Sequence, residues 1–406
     1  MGAFGRHGRR SRWLRRRRSA RLRDRVAGRG GPRPRRRPSV TEATSTDIDF
    51  YTPPAVVEQQ PGVILRLRPA PQLTGAGEAW QILYVSRDSY DRPIPVSGTV
   101  IAPESAGDLG GAVLVYQPSF HGLGGVCAPS QLLAAGAEPD SAQIRAALAR
   151  GFIVAVADGE GLGVLGHGPH TFLAGRAAGQ VILDLARAAT RIPALDASGA
   201  PIVWWGYGDA GRAAVWAGSL QPSCAPELDV RGIAAGAVVT DPGQILRVVN
   251  QGAWAGLGLA ALVGLSHAHR HLPLRHIFTE DSRRGLVVEA EASNRVRFCD
   301  TWRHPVGVWC ERPDVWNDPV WQHVFAHELL SASMVPAAPL HLYHGARDAI
   351  VPVEFGRRLA RDFRSRGGRV GWREYDADHF RTARAAIGDV LDHLTEDLSR
   401  PHHQPA

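Results

Sequence analysis

Residues 202–217 read IVWWGYGDAGRAAVWA. The stretch starts as an apolar run, turns through small residues and continues with helix formers. Within it Gly206-Tyr207-Gly208-Asp209-Ala210-Gly211 has the small-x-nucleophile-x-small frame of a strand-to-helix elbow. Such a turn holds its central residue in strained backbone geometry and projects that side chain over the end of a sheet. The flanking residues are small because strand and helix nearly touch. Here the central residue is Gly208, which has no side chain. The sequence therefore predicts the scaffold of a serine hydrolase with a glycine at the nucleophile position.

On both sides of the elbow, apolar runs alternate with amphipathic stretches. They predict strands at 63–67, 80–86, 96–102, 112–116, 152–157, 232–239, 340–343 and 369–375. Helices are predicted at 141–150, 174–191, 354–365 and 381–398. Strands alternating with helices imply βαβ units and a mostly parallel central sheet flanked by helices, an α/β class. Residues 242–335 break the pattern with helical runs, no clear strand, and Trp254, Trp302, Trp309, Trp316 and Trp321. The expected organisation is an Arg-rich disordered tail at 1–48, core at 49–241, a helical cap at 242–335 inserted between two late strands, core again at 336–399, and a short tail at 400–406.

Charge is unevenly distributed along the 406 residues. Residues 1–38 carry sixteen arginines and one aspartate, a net +15 against +8 for the whole chain, so residues 39–406 sum to −7. The tail is thus a candidate for anionic membrane surfaces, with no specific nucleic-acid motif. It lacks the apolar segment of about seven or more residues that a secretory signal needs. No apolar run reaches the length of a membrane span; residues 254–265 are short and broken by glycine. Cys127, Cys224, Cys299 and Cys310 allow three pairings.

In folds built on this elbow, the acid follows a late strand and the histidine follows the last one. The stretch HLYHGARDAIVP places Asp348 just past a strand, and WREYDADHF places His379 just past the next. The order Gly208, Asp348, His379 is the expected triad order with serine replaced. His379 is the expected general base, and Asp348 would hold its tautomer and steady the imidazolium. The backbone N–H of Asp209 is the expected oxyanion donor, with a second from the 118–124 loop. The Asp209 carboxylate and the Ser119 hydroxyl are weaker candidates for a substitute nucleophile.

Two motifs are set aside. Gly161, Gly163 and Gly166 match G-x-G-x-x-G but do not close a strand and open a helix, so no dinucleotide cofactor is expected. His267, His269, His271 and His276 do not share one helix face and have no cysteine or carboxylate at ligand spacing, so no metal is expected.

The chain also resembles the secretory lipase family, the lipase A-like α/β-hydrolases. HGLGGVCAPS (121–130), DGEGLG (158–163), GPHTFLAG (168–175), VILDLARAA (181–189), GYGDAG, CAPELDVRGIAAGA (224–237), HGARDAIVP and Asp378-His379 follow that family's motifs in order. The resemblance runs from about residue 50 to 395. It implies an α/β-hydrolase fold, secretion, a helical lid over an acyl-binding tunnel, and hydrolysis of long-chain esters such as triacylglycerols in lipid catabolism. It would also pair Cys127 with Cys299. Two positions depart from the pattern: Gly208 replaces serine, and Ala210 replaces the second elbow glycine. The added methyl of Ala210 is expected to press the elbow helix away from its strand.

These features carry two expected functions. One is a lipase or esterase by descent, with weak or no serine-esterase activity. The other is an inactive pseudo-hydrolase that binds a long-chain acyl ester, a fatty acid or a partner.

Overall fold

The computed structural model describes residues 45–400 except 57–58, 71–76, 106, 251, 271–276 and 332. The arginine-rich stretch at 1–38 and residues 401–406 lie outside the described residues, together with the expectations placed on them.

The strands are β1 (Ile64–Pro69), β2 (Ala79–Arg87), β3 (Pro93–Ile101), β4 (Val113–Gln117), β5 (Ile153–Ala157), β6 (Ile202–Tyr207), β7 (Val230–Gly236), β8 (Leu340–Gly345) and β9 (Val370–Tyr375). They form one sheet in the order β1-β2-β3-β5-β4-β6-β7-β8-β9. β1, β2, β3 and β5 pair antiparallel, and from β5 through β9 all pairs are parallel.

β4, β5 and β6 are buried at every residue. That follows from their continuous apolar runs, because a parallel strand must bury both faces. Leu114, Tyr116, Val154, Val156, Val203 and Trp205 belong to one core layer. Val113, Val115, Ile153, Ala155, Ile202 and Trp204 belong to the layer on the opposite face.

The helices before β7 are α1 (Ser45–Tyr51), α2 (Pro129–Ala134), α3 (Ser141–Ala149), α4 (Gly175–Ala189) and α5 (Asp209–Cys224). α4 and α5 bury Val181, Leu185 and Val215 in the second core layer. Gly179 allows their close approach, since a Cβ there would sit 2.8 Å from the Ala217 amide nitrogen.

Between β7 and β8 the described chain is helical. It holds α6 (Pro242–Val248), α7 (Ala255–Ala268), α8 (Glu280–Ala292), α9 (Arg295–Thr301), α10 (Val306–Trp309) and α11 (Pro319–His327). α7 is apolar nearly all round, and Leu259, Leu262 and Leu265 join the first core layer. After β8 come α12 (Val353–Arg364), α13 (His379–Ala385) and α14 (Ile387–Ser399). The single helix expected at 381–398 is two helices, joined at Ala386. Among the described residues no helix is long and apolar enough to cross a membrane.

Candidate active site

β6 ends at Tyr207 and α5 begins at Asp209, with Gly208 between them at φ +68 and ψ −120. That is backbone space in which L side chains are strained. Gly206 and Gly211 supply the close approach. A Cβ on Gly206 would run into the Ala210 carbonyl, and one on Gly211 would meet the Gly236 carbonyl of β7 at 2.5 Å. Ala210 is buried and lines a small cavity shared with Gln117, Glu160 and His170.

The two other residues expected at triad positions converge on this turn. Asp348 follows β8, and His379 opens α13 directly after β9. His379 Nδ1 lies 2.6 Å from Asp348 Oδ2. The other carboxylate oxygen of Asp348 accepts the N–H groups of Ile350 and Val351, each at 2.9 Å. Burial alone would raise the Asp348 carboxyl, but the His379 hydrogen bond, the His379 charge and these two amides outweigh it and hold it below the ordinary carboxylate value. With Nδ1 engaged, Nε2 faces the elbow. A Cβ built on Gly208 would stand 3.7 Å from His379 Nε2, with nothing nearer. A hydroxyl one bond further out would fall within hydrogen-bonding reach of the imidazole. The Tyr207 ring flanks the imidazole at a centroid distance of 4.8 Å.

The loop after β4 lies opposite. The Ser119 N–H donates to Asp140 Oδ2 at 3.1 Å, and the Ser119 hydroxyl is directed to the same oxygen at 3.3 Å. The Phe120 N–H donates to Asp209 Oδ1 at 3.1 Å. Burial lifts the Asp209 carboxyl to about 6, against the Phe120 and Asp209 amides and the charges of His121 and Arg295.

A largely apolar cavity opens at this point. Gly208, Asp209, His379, Ser119 and Arg295 stand on its wall as the polar or catalytic-type residues. Ile245, Leu246, Val249, Leu257 and Ala261, from the insertion between β7 and β8, supply much of the rest. The apolar lining with a few convergent polar groups fits a small-molecule site.

The Cys127–Cys299 bridge implied by the family resemblance is not formed, and all four cysteines are free. Cys127 Sγ is directed to the Ser293 carbonyl at 3.5 Å, whereas Cys299 packs by its backbone against Gly256 of α7. Burial pushes both thiols up to about 11, which keeps them in the unreactive form.

The histidines near 267–276 diverge. His267 Nε2 is 3.1 Å from the His167 carbonyl, and His269 Nε2 is 3.1 Å from Glu328 Oε1. His271 and His276 lie outside the described residues. Among the described residues, two side-chain groups bring metal-type atoms within 4.8 Å of each other: His269, His327 and Glu328, and His121, Glu138 and Asp140. Glu328 already faces Arg212 at 3.0 Å, and Asp140 already accepts from Tyr116 and Ser119. Those cationic and hydrogen-bond partners spend much of the charge a metal would need.

Sequence reasoning missed a buried ion pair behind the elbow. Arg212 of α5 donates to the Leu173 and Val239 carbonyls at 3.1 Å each, to the Glu328 carbonyl, and to Glu328 Oε2 at 3.0 Å. Glu328 also accepts the Gly175 N–H at 2.7 Å. The pair joins the elbow helix to the end of the insertion, and both side chains are almost fully buried.

The profile of the family described as secretory lipase matches residues 127–400. The chain belongs to the secretory lipase family. It is 29% identical over 355 residues to a Mycobacterium tuberculosis protein named "probable inactive lipase", covering 82% of this chain and 78% of that one. It is 27% identical over 383 residues to a secreted triacylglycerol lipase of Malassezia globosa, covering 87% and 79%. Among solved structures, Candida antarctica lipase A superposes with a TM-score of 0.78 at 22% identity, over 89% of this chain and 88% of that one. An esterase LipA of Xanthomonas oryzae, described as degrading rice cell wall, gives 0.70 at 16% identity, over 84% and 100%. These likenesses establish the α/β-hydrolase fold. As a secretory lipase family member, the chain is a lipase-like hydrolase by descent.

Proposed function

We propose that this secretory lipase family member retains the family's acyl pocket and has lost serine-esterase turnover at residue 208. The observation that carries the reading is the elbow itself. Gly208 occupies the projecting position, 3.7 Å from His379 Nε2 measured from the Cβ it lacks. In acyl transfer by a triad, the serine Oγ attacks the ester carbonyl while the imidazole takes its proton and the aspartate steadies the imidazolium. His379 and Asp348 are the base and its orienter in this reading, and the Asp209 N–H is one oxyanion donor. The attacking oxygen is missing. Removing the serine from a triad costs roughly a million-fold in turnover and leaves roughly a thousand-fold over water. What survives at that level is binding of a long-chain ester or fatty acid in the cavity.

The hydrogen-bonded His379–Asp348 pair favours a second reading, in which His379 activates water directly against a bound ester. The two readings separate in one experiment. The parent protein is assayed with p-nitrophenyl esters and a phosphonate probe. Absence of turnover and labelling, with labelling appearing in Gly208→Ser, supports the loss of a serine nucleophile. Turnover without labelling supports water activation by His379. Labelling of the parent refutes both and points to another nucleophile.

A further inference from the structure

We infer that the cavity selects a long-chain carboxylic acid over its neutral esters, with the acid's head group held by Arg295. This rests on the acyl-pocket reading above and names the ligand class of that pocket.

Arg295 is the first residue of α9, and its placement is determined by backbone contacts. Its N–H donates to the His121 carbonyl at 2.6 Å, and the adjacent Asn294 forms a β-bridge with Gly122. The insertion is thereby tied to the loop that follows β4, and the Arg295 side chain is delivered to the cavity wall. One guanidinium N–H is directed to the Phe120 carbonyl at 3.3 Å, and the guanidinium carbon stands 5.2 Å from the Phe380 ring centroid. Among the described residues no carboxylate makes an ion pair with it. The half-buried or buried Arg187 and Arg212, by contrast, are each paired with a carboxylate.

A cation with spare donors at one end of an apolar cavity matches an amphiphile with an anionic head. A guanidinium presents a planar fork of donors that fits a carboxylate at two points, and an ester carbonyl offers it one weaker acceptor. The space left by the missing side chain at 208 lies beside His379 Nε2, so the head group has room next to the imidazole. Ile245, Leu246, Val249 and Leu257 then take the chain. The opposing charge is Asp209. One of its oxygens is engaged by the Phe120 N–H, and burial lifts its carboxyl to about 6, so its repulsion is weakened at that pH.

The test uses the full chain near the Asp209 value of about 6. Hexadecanoic acid and its methyl ester are titrated into the parent protein, Arg295→Met and Arg295→Lys. Calorimetry and the fluorescence of Trp254, which lines the cavity, report binding. The acid should bind the parent at least about tenfold tighter than the ester, the scale of one charge-assisted hydrogen bond. Arg295→Met should remove that preference, weakening the acid more than the ester, and a urea midpoint matching the parent shows that the variant is folded. Arg295→Lys should keep part of the preference. Equal affinity of acid and ester in the parent, or a preference that survives Arg295→Met, overturns the inference and leaves the acyl pocket standing. No binding of either ligand overturns the pocket reading together with the inference.

Discussion

The carboxylate of Asp209 accepts the backbone N–H of Phe120 at 3.1 Å. An elbow of this kind draws one oxyanion donor from the residue after the nucleophile and the other from the loop after the preceding strand. In this chain the residue expected to give the first amide, Asp209, uses its side chain to engage an amide of that loop. The neighbouring Ser119 amide is engaged by Asp140 in the same manner. Under the function proposed above, Asp209 would be a second obstacle to ester hydrolysis, independent of Gly208.

That relationship predicts the order of activity in repaired variants. Gly208→Ser should gain esterase activity over the parent, and Gly208→Ser with Asp209→Gly should gain about a hundred-fold more, the scale of one oxyanion donor. Adding His379→Ala should abolish both gains, because serine depends on that base. Turnover of short p-nitrophenyl esters measures the series. A double variant no faster than Gly208→Ser would show that the Asp209 carboxylate does not obstruct the donors.

The backbone at 208 predicts a stability cost with no steric part. A methyl there meets nothing closer than 3.7 Å, yet φ is +68. Gly208→Ala should then lose about 1–3 kcal/mol, the usual cost of a side chain in sparsely populated backbone space. Gly206→Ala should lose more, because its methyl collides with the Ala210 carbonyl. Urea unfolding of both variants tests the ranking.

The buried pair behind the elbow predicts a larger loss. Glu328→Ala leaves the Arg212 guanidinium without its carboxylate in a fully buried position. Breaking such a pair by removing one partner costs about 3–5 kcal/mol, since the remaining charge is stranded. A stability loss below about 1 kcal/mol would mean that water or another group reaches Arg212 when Glu328 is removed.

Glu160 predicts a pH dependence. Burial, reinforced by the charge of Asp88, lifts its carboxyl from 4.5 to about 7, against Thr171, Arg270 and Arg92. The folded state therefore binds this proton more tightly than the unfolded chain does. The associated stability is fully present below 4.5 and is lost as pH rises through about 7. Glu160→Gln cannot ionise, so its stability relative to the parent should rise across that window, by up to about 3 kcal/mol. Parallel stability curves for the two proteins would place the titration elsewhere.

Much of the candidate site was legible in the sequence because it is locally encoded. Gly206, Gly208 and Gly211 mark a strand-to-helix turn by size alone, and β4, β5 and β6 announce buried parallel strands by unbroken apolar runs. Asp348 and His379 were placed by their positions just past strands, and the 2.6 Å contact between them follows once adjacent parallel strands end at the same edge of the sheet. Tertiary packing decided the rest. Nothing near Arg212, Glu328 or Arg295 distinguishes them from the chain's many surface charges. Arg212 and Glu328 are 116 residues apart and become a buried pair only when the insertion docks on the elbow helix. Asp209 and Phe120, 89 residues apart, meet only after β4 and β6 align. The cysteines show the same limit: four thiols in a sequence state no distances, and here Cys127 and Cys299 pack against different neighbours. Size, turn chemistry and apolar period act over a few residues and specify elements. Pairing of charges depends on which surfaces exclude water together, and that exists only in the assembled fold.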